Sequence, residues 1–166
     1  VEAAGLFFPP DPLNAATATI GGAIGVDARG PRALKYGSCK DYVLALDVVL
    51  ADGTRLHTGA NTVKDASGYD LTRLFVGARG TLCFYVRLRL RLLPLPSAAT
   101  TLVASCENLP AALTLADELL GAGLLPARLQ ALDRVAARLI GLETRPGEGA
   151  LLLCELDGSP PAVAVQ

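Results

Sequence analysis

Apolar and polar positions alternate most sharply in two stretches of the chain. Over residues 42–58, Leu44, Leu46, Val48 and Leu50 fall on one face of an extended backbone and Ala45, Asp47 and Val49 on the other. That is the two-residue period of a strand. Asp52-Gly53 interrupts the run, and both residue types tolerate the positive φ of a tight turn, so the pattern predicts a hairpin with its return strand over 54–58. The four side chains of the first face are expected to meet a buried layer. The second stretch, "YVRLRLRLL", sends Val86, Leu88, Leu90 and Leu92 one way and Arg87, Arg89 and Arg91 the other. A solvated sheet face explains the arginines more simply than a grip on phosphate.

"LPLP", residues 93–96, interrupts regular structure and removes backbone donors, which marks a domain boundary. The rhythm then changes. "TTLVASC" reads as a strand. Asn108 caps a helix with Pro110 in its first turn; Leu113, Leu115, Ala116, Leu119 and Leu120 form its apolar side, and Gly121 and Gly123 end it. "ARLQALD" is a further strand, 134–142 a helix, "ALLLCEL" a strand, and "SPPAVAVQ" starts another helix. The order predicts an α+β unit like half of a ferredoxin-like fold.

At 166 residues, 51% hydrophobic and 19% charged, the chain can fill a core and is not of disordered composition. A net charge of -1 offers no basic field, so no nucleic-acid partner is expected. No apolar run approaches the roughly 20 residues of a transmembrane helix, and no basic region followed by an apolar core opens the chain. The expected location is therefore cytoplasmic. Cys39, Cys83, Cys106 and Cys154 lack metal-site spacing and read as buried or incidental thiols. His57, with no acidic or nucleophilic residue at a recognisable spacing, reads as a hairpin surface residue.

The stretch "TIGGAIGVDARGPRALKYG" packs five glycines into residues 19–37, just after "LFFPPDP". Clustered glycines let a backbone approach a ligand and offer N–H groups to its oxygens, although taken alone the signal is weak. Val1 begins the chain without an initiator, no Met occurs anywhere, and Gln166 falls where a helix is starting. The chain reads as a fragment.

Five motifs in order, "LFFPPDP", "TIGGAIGVDARGPRALKYG", "DYVLALDVVLADGT", "TGANTVKDASGYDLTRLFVGARGTL" and "LLPLP", resemble the FAD-linked oxidases of the vanillyl-alcohol oxidase superfamily. Within it they are most similar to the glycolate oxidase flavin subunit and the D-lactate dehydrogenases. The resemblance implies an α+β fold in which residues 1–96 are the second half of a PCMH-type FAD-binding domain and 97–166 begin a ferredoxin-like cap domain. It implies FAD as cofactor and a small 2-hydroxy acid as substrate. Additional electron-transfer subunits, which can place such enzymes at the inner membrane, are also implied.

By the same resemblance, Pro10 and Asp11 form a turn touching the cofactor, and Thr19, Ile20, Gly21, Gly22, Ala23, Val26, Asp27 and Gly30 lie in a loop against FAD. Glycines 21, 22 and 30 would admit the cofactor where a Cβ would collide. Gly80, Thr81 and Leu82 close over it, and Phe84 and Tyr85 pass beside the adenine end. Lys64, Tyr69 and Asp70 match a marked motif with a structural role as ready as a binding one. The chain departs from the family pattern at Ala23, Val26, Asp27, Arg29, Arg79, Cys83 and Val86, and each polar or charge-assisted contact to the cofactor lost in this way would cost about 1–3 kcal/mol. Asp27 in particular would set negative charge near a pyrophosphate. No catalytic base or metal ligand is assigned, since activity would belong to the complete protein. The alternative reading is a truncated remnant that keeps the fold but neither holds FAD tightly nor catalyses.

Overall fold

In the computed structural model, which describes residues 1–59, 69–142 and 147–165, the backbone falls into two units, Val1–Leu95 and Pro96–Gln166. The first contains β1 (Leu6–Phe7), α1 (Ile20–Gly25), α2 (Ala33–Tyr36), β2 (Val43–Leu50), β3 (Arg55–Gly59), α3 (Leu71–Phe75), β4 (Cys83–Leu90) and β5 (Leu93–Pro94). The second contains β6 (Ala98–Cys106), α4 (Leu109–Gly121), β7 (Arg128–Asp133), α5 (Arg134–Leu139), β8 (Ala150–Gly158) and α6 (Pro160–Val165). The fold is mixed α and β.

β2 is the central strand of an antiparallel sheet ordered β3-β2-β4. The hairpin of β2 and β3 forms, but not through a two-residue turn. The Leu50 amide donates to the Thr54 carbonyl (2.9 Å) and the Gly53 amide to the Leu50 carbonyl (3.0 Å), so the loop is Ala51–Asp52–Gly53. Within it Gly53 carries the positive φ of 84°, as three-residue hairpins require at their last position. Asp52 instead accepts from the Thr54 amide at 2.9 Å. Leu46 and Val48 are 1% exposed, as the alternation requires, while Leu44 and Leu50 are half-buried.

The arginine-rich strand departs from strict alternation. Asp47 pairs with Arg87 but Val48 with Tyr85, leaving Val86 as an extra residue in a bulge. Val86 is thereby turned out, 68% exposed, while Cys83, Tyr85, Leu88 and Leu90 face the core. Strict alternation had put Val86 with Leu88 and Leu90. The "LPLP" segment also differs from expectation, because Leu93 and Pro94 pair antiparallel with Phe7 and Leu6. Proline is tolerated in this two-stranded ladder, and the Leu95 amide reaches the Gly5 carbonyl at 2.9 Å. The core of this unit gathers Ile24, Cys39, Leu46, Val48, Phe75, Val76 and Cys83.

In the second unit β8 lies between β6 and β7 and runs antiparallel to both, so β6 and β7 are parallel with a strand inserted between them. That is the split βαβ arrangement that the strand and helix order predicts. Helix α4 starts at Asn108, whose Oδ1 accepts from the Ala111 amide at 2.9 Å. Its buried face is Ala112, Leu115, Ala116 and Leu119, packed with Ala150 and Leu152 of β8. Leu113, 52% exposed, and Leu120 at 36%, both placed on the apolar side by the sequence pattern, stand outside this buried face.

Candidate functional site

The glycine-rich stretch begins as a helix rather than a loop. Thr19 is extended and its Oγ1 accepts from the Gly22 amide at 3.0 Å, capping α1. Glycines weaken a helix by about 1 kcal/mol each relative to alanine, so "IGGAIG" does not hold this shape by propensity. It is held from outside. Ile24 is 0% exposed in the core, and the Ile24 and Gly25 carbonyls accept from the Gly77 amide (3.0 Å) and the Arg79 amide (2.7 Å) of a turn more than fifty residues later.

Those hydrogen bonds bring two of the predicted cofactor segments together. The turn at 77–80 carries positive φ at Gly77 (85°), Arg79 (55°) and Gly80 (75°). Tyr85 closes the same neighbourhood: a Cβ at Gly25 would lie 3.6 Å from its ring, and its hydroxyl donates to the Phe75 carbonyl. Phe84, adjacent in sequence, is 74% exposed on the opposite face of β4. The structure therefore separates Phe84 from Tyr85. Gly80, at the end of the turn, and Leu82, just past it, are exposed, Leu82 at 44%.

The predicted glycines are not equivalent. Gly21 has open space where a Cβ would stand, whereas a Cβ at Gly22 would meet the Thr19 hydroxyl that caps the helix, at 3.0 Å. Gly30 has a reason internal to the protein, because a Cβ there would overlap the Asp11 backbone carbonyl. That approach, with Arg32 Nε 4.0 Å from Asp11 Oδ2, joins the 10–11 turn to the end of the glycine-rich stretch. Pro10 and Ala23 are buried; Thr19, Ile20 and Val26 are exposed.

Asp27 is turned into the protein. It adopts φ 49°, its side chain is 10% exposed, and Oδ1 accepts from the Lys40 amide at 2.8 Å while Oδ2 faces Arg29 at 3.3 Å. Burial pushes its carboxyl up, but the Lys40 amide, the Ser38 hydroxyl, Arg29 and the Lys40 ammonium outweigh that and hold it below the ordinary value. Burial of Cys39 itself, together with the charge of Asp27, pushes its thiol up to about 11.

His57 has the acidic partner that sequence spacing did not reveal. Its Nδ1 lies 2.5 Å from Asp47 Oδ1, and Arg87 Nε lies 3.6 Å from Asp47 Oδ2, so one carboxylate on β2 ties both flanking strands. The His57 hydrogen bond foremost, with the charges of His57, Arg87 and Arg89, outweighs the desolvation that raises it and holds Asp47 below the ordinary carboxylate value. The three-residue loop explains the miss: it sets Asp47 opposite His57, whereas a two-residue turn would place Thr58 there. Tyr69 is 96% exposed, and Asp70 caps α3 by accepting from the Arg73 amide at 2.9 Å. Lys64 lies outside the described residues. Among those described, no cluster of metal-ligating side chains occurs and no helix is long and apolar enough to cross a membrane.

Residues 1–59, which include α1 and Asp27, match the family model for the FAD binding domain. The chain is 44% identical over 164 residues to the glycolate oxidase subunit GlcD of Bacillus subtilis, covering 95% of this chain and 34% of that protein. It is 40% identical over 135 residues to a D-lactate dehydrogenase of Archaeoglobus fulgidus, covering 81% and 30%. Over residues 1–59 the chain belongs to the FAD binding domain family. Its fold also matches a solved alkyldihydroxyacetonephosphate synthase with a TM-score of 0.82 at 16% identity, over 99% of this chain and 33% of that one. At that identity the likeness is one of fold alone. The chain spans about a third of the length of the curated relatives it matches.

FAD is thus the cofactor of this family, and the residues present fit it in one respect that the geometry makes concrete. Thr19, Ile20 and Gly22 are exposed, open space lies beside the half-buried Gly21, and the buried Ala23 and Ile24 anchor the stretch from behind.

Proposed function

We propose that the protein carrying this chain is an FAD-dependent oxidoreductase that oxidises a small 2-hydroxy acid of the glycolate or D-lactate type. In this reading residues 1–96 are part of the PCMH-type FAD-binding domain and 97–166 part of the cap. The observation that carries it is the FAD-binding family match over residues 1–59 together with relatives named for glycolate and D-lactate. Bound FAD supplies the acceptor for the two electrons leaving the hydroxyl-bearing carbon. The work of this chain is positioning. The Thr19 cap and the buried Ile24 fix the 19–22 backbone, and the Gly77–Arg79 amides fix α1 to the turn that presents Gly80 and Leu82. Phe84, on the other face of β4, is left out of this cradle, while Tyr85 supports α1 from behind.

Two measurements test the proposal. Anaerobic addition of D-lactate or glycolate to the flavin-loaded intact protein should bleach the flavin; bleaching by unrelated donors only would contradict the substrate class. Gly21→Ala should make the flavin-free protein more stable by about 0.5–1 kcal/mol, since alanine favours the helix, yet lower its flavin content. Unchanged flavin content would remove residues 19–22 from the cofactor contact.

A further inference from the structure

Asp27 sits where three segments meet. Its own backbone ends α1, with the Asp27 amide donating to the Ile24 carbonyl (3.1 Å) and the Ala28 amide to the Ala23 carbonyl (2.8 Å). Its carboxylate accepts from the Lys40 amide, and next to that bond the Cys39 amide donates to the Ala28 carbonyl at 3.2 Å. On the third side is the 77–79 turn, where a Cβ at Gly77 would stand 3.3 Å from the Asp27 Cβ. A residue other than glycine in the left-handed region costs about 1–2 kcal/mol, and Asp27 accepts that conformation at φ 49°. The inward carboxylate is what the conformation secures.

We propose that Asp27 is a positioning residue: its carboxylate locks the end of α1 to the 38–40 segment, and through α1 it sets how firmly residues 19–22 are held for the flavin. The flavin half of this statement rests on the function proposed above. It reverses the expectation that Asp27 weakens cofactor binding by its charge. That charge is directed at Arg29, the Lys40 amide and the Lys40 ammonium, and the side chain is 10% exposed. An aspartate whose role is to repel or attract a pyrophosphate would need to face it. This one faces the backbone that supports the helix.

The test compares Asp27→Ala and Asp27→Asn in the intact protein. Amide hydrogen exchange at Lys40 is read without flavin, and FAD affinity is read by fluorescence titration at low and high salt. Losing a charge-assisted bond should speed Lys40 exchange and weaken FAD at least about tenfold in Asp27→Ala, equally at both salt concentrations. Asparagine keeps an acceptor oxygen and tolerates the left-handed backbone, so Asp27→Asn should restore both readings to within about threefold. The conservative rescue separates positioning by this oxygen from a loss of fold. Tighter FAD binding in both variants, strongest at low salt, would overturn the proposal in favour of charge repulsion. An unchanged Lys40 amide in Asp27→Ala would overturn the lock. Wild-type protein that takes up no FAD would overturn the flavin reading instead, and the Lys40 exchange would still distinguish that failure from failure of the lock.

Discussion

Helices α1 and α4 both begin at a side-chain cap, Thr19 in one and Asn108 in the other, and both pack one face on a sheet-based core. Their resemblance ends there. α4 runs thirteen residues, Leu109–Gly121, with leucines and alanines of high helix propensity throughout. α1 runs six, three of them glycine, and borrows its carbonyl partners from Gly77 and Arg79. One helix is specified by its own sequence, the other by what surrounds it. The difference teaches how an open stretch of backbone is kept in shape: glycine leaves space beside residue 21, and hydrogen bonds from distant residues make up for the helix propensity that glycine gives up.

The comparison breaks most visibly at Ile24. It is 0% exposed and is the main apolar anchor of α1, so Ile24→Ala should destabilise the first unit by about 2–5 kcal/mol in urea unfolding. Leu115→Ala in α4 removes a half-buried side chain from a helix with other anchors and should cost less. Equal costs would mean that α1 is no more dependent on its surroundings than α4.

The legible parts of the fold were those in which local pattern and tertiary structure agree. Asn108, Pro110 and the leucine spacing marked α4, and the alternation through Leu46 and Val48 marked the central strand. Two features were hidden because they depend on single-residue shifts: the bulge that expels Val86, and the three-residue loop that sets Asp47 beside His57. α1 was hidden for another reason. Its glycines argue against a helix, and the contacts that override them come from residues 77–79. At the candidate site the sequence treated Gly21, Gly22 and Gly30 alike, as room for a cofactor, whereas a Cβ at Gly30 would overlap the Asp11 backbone carbonyl of the protein itself. The inward direction of Asp27 could not be read from its charge.

A smaller effect sharpens the comparison at the caps. Thr19→Ala and Asn108→Ala each remove one acceptor from a first-turn amide, a loss of about 1 kcal/mol. Circular dichroism should show α4 persisting, because its length and propensity remain. Amides 22–25 should exchange faster in Thr19→Ala. Intact protection there would show that the Gly77 and Arg79 bonds alone are sufficient.

Acid is expected to act more gently still. Asp27 and Asp47 are held below the ordinary carboxylate value in the folded protein. The stability they contribute is present above the unfolded value near pH 4 and is lost as pH falls through their lower folded values. Melting temperature should therefore decline below about pH 4, and Asp27→Asn should flatten part of that decline. An unaltered acid profile in Asp27→Asn would show that its carboxylate is no more favourably placed than in the unfolded chain.

Amide hydrogen exchange of the intact protein with and without FAD tests the central claim most directly. A glycine-rich helix that meets the flavin on its open side, and is bolted to the 77–79 turn behind, should gain protection at residues 19–22 and 80–82 together when FAD is added. Ile24 and Leu46, already buried, should change little. Protection appearing elsewhere while residues 19–22 exchange as fast as before would contradict the account.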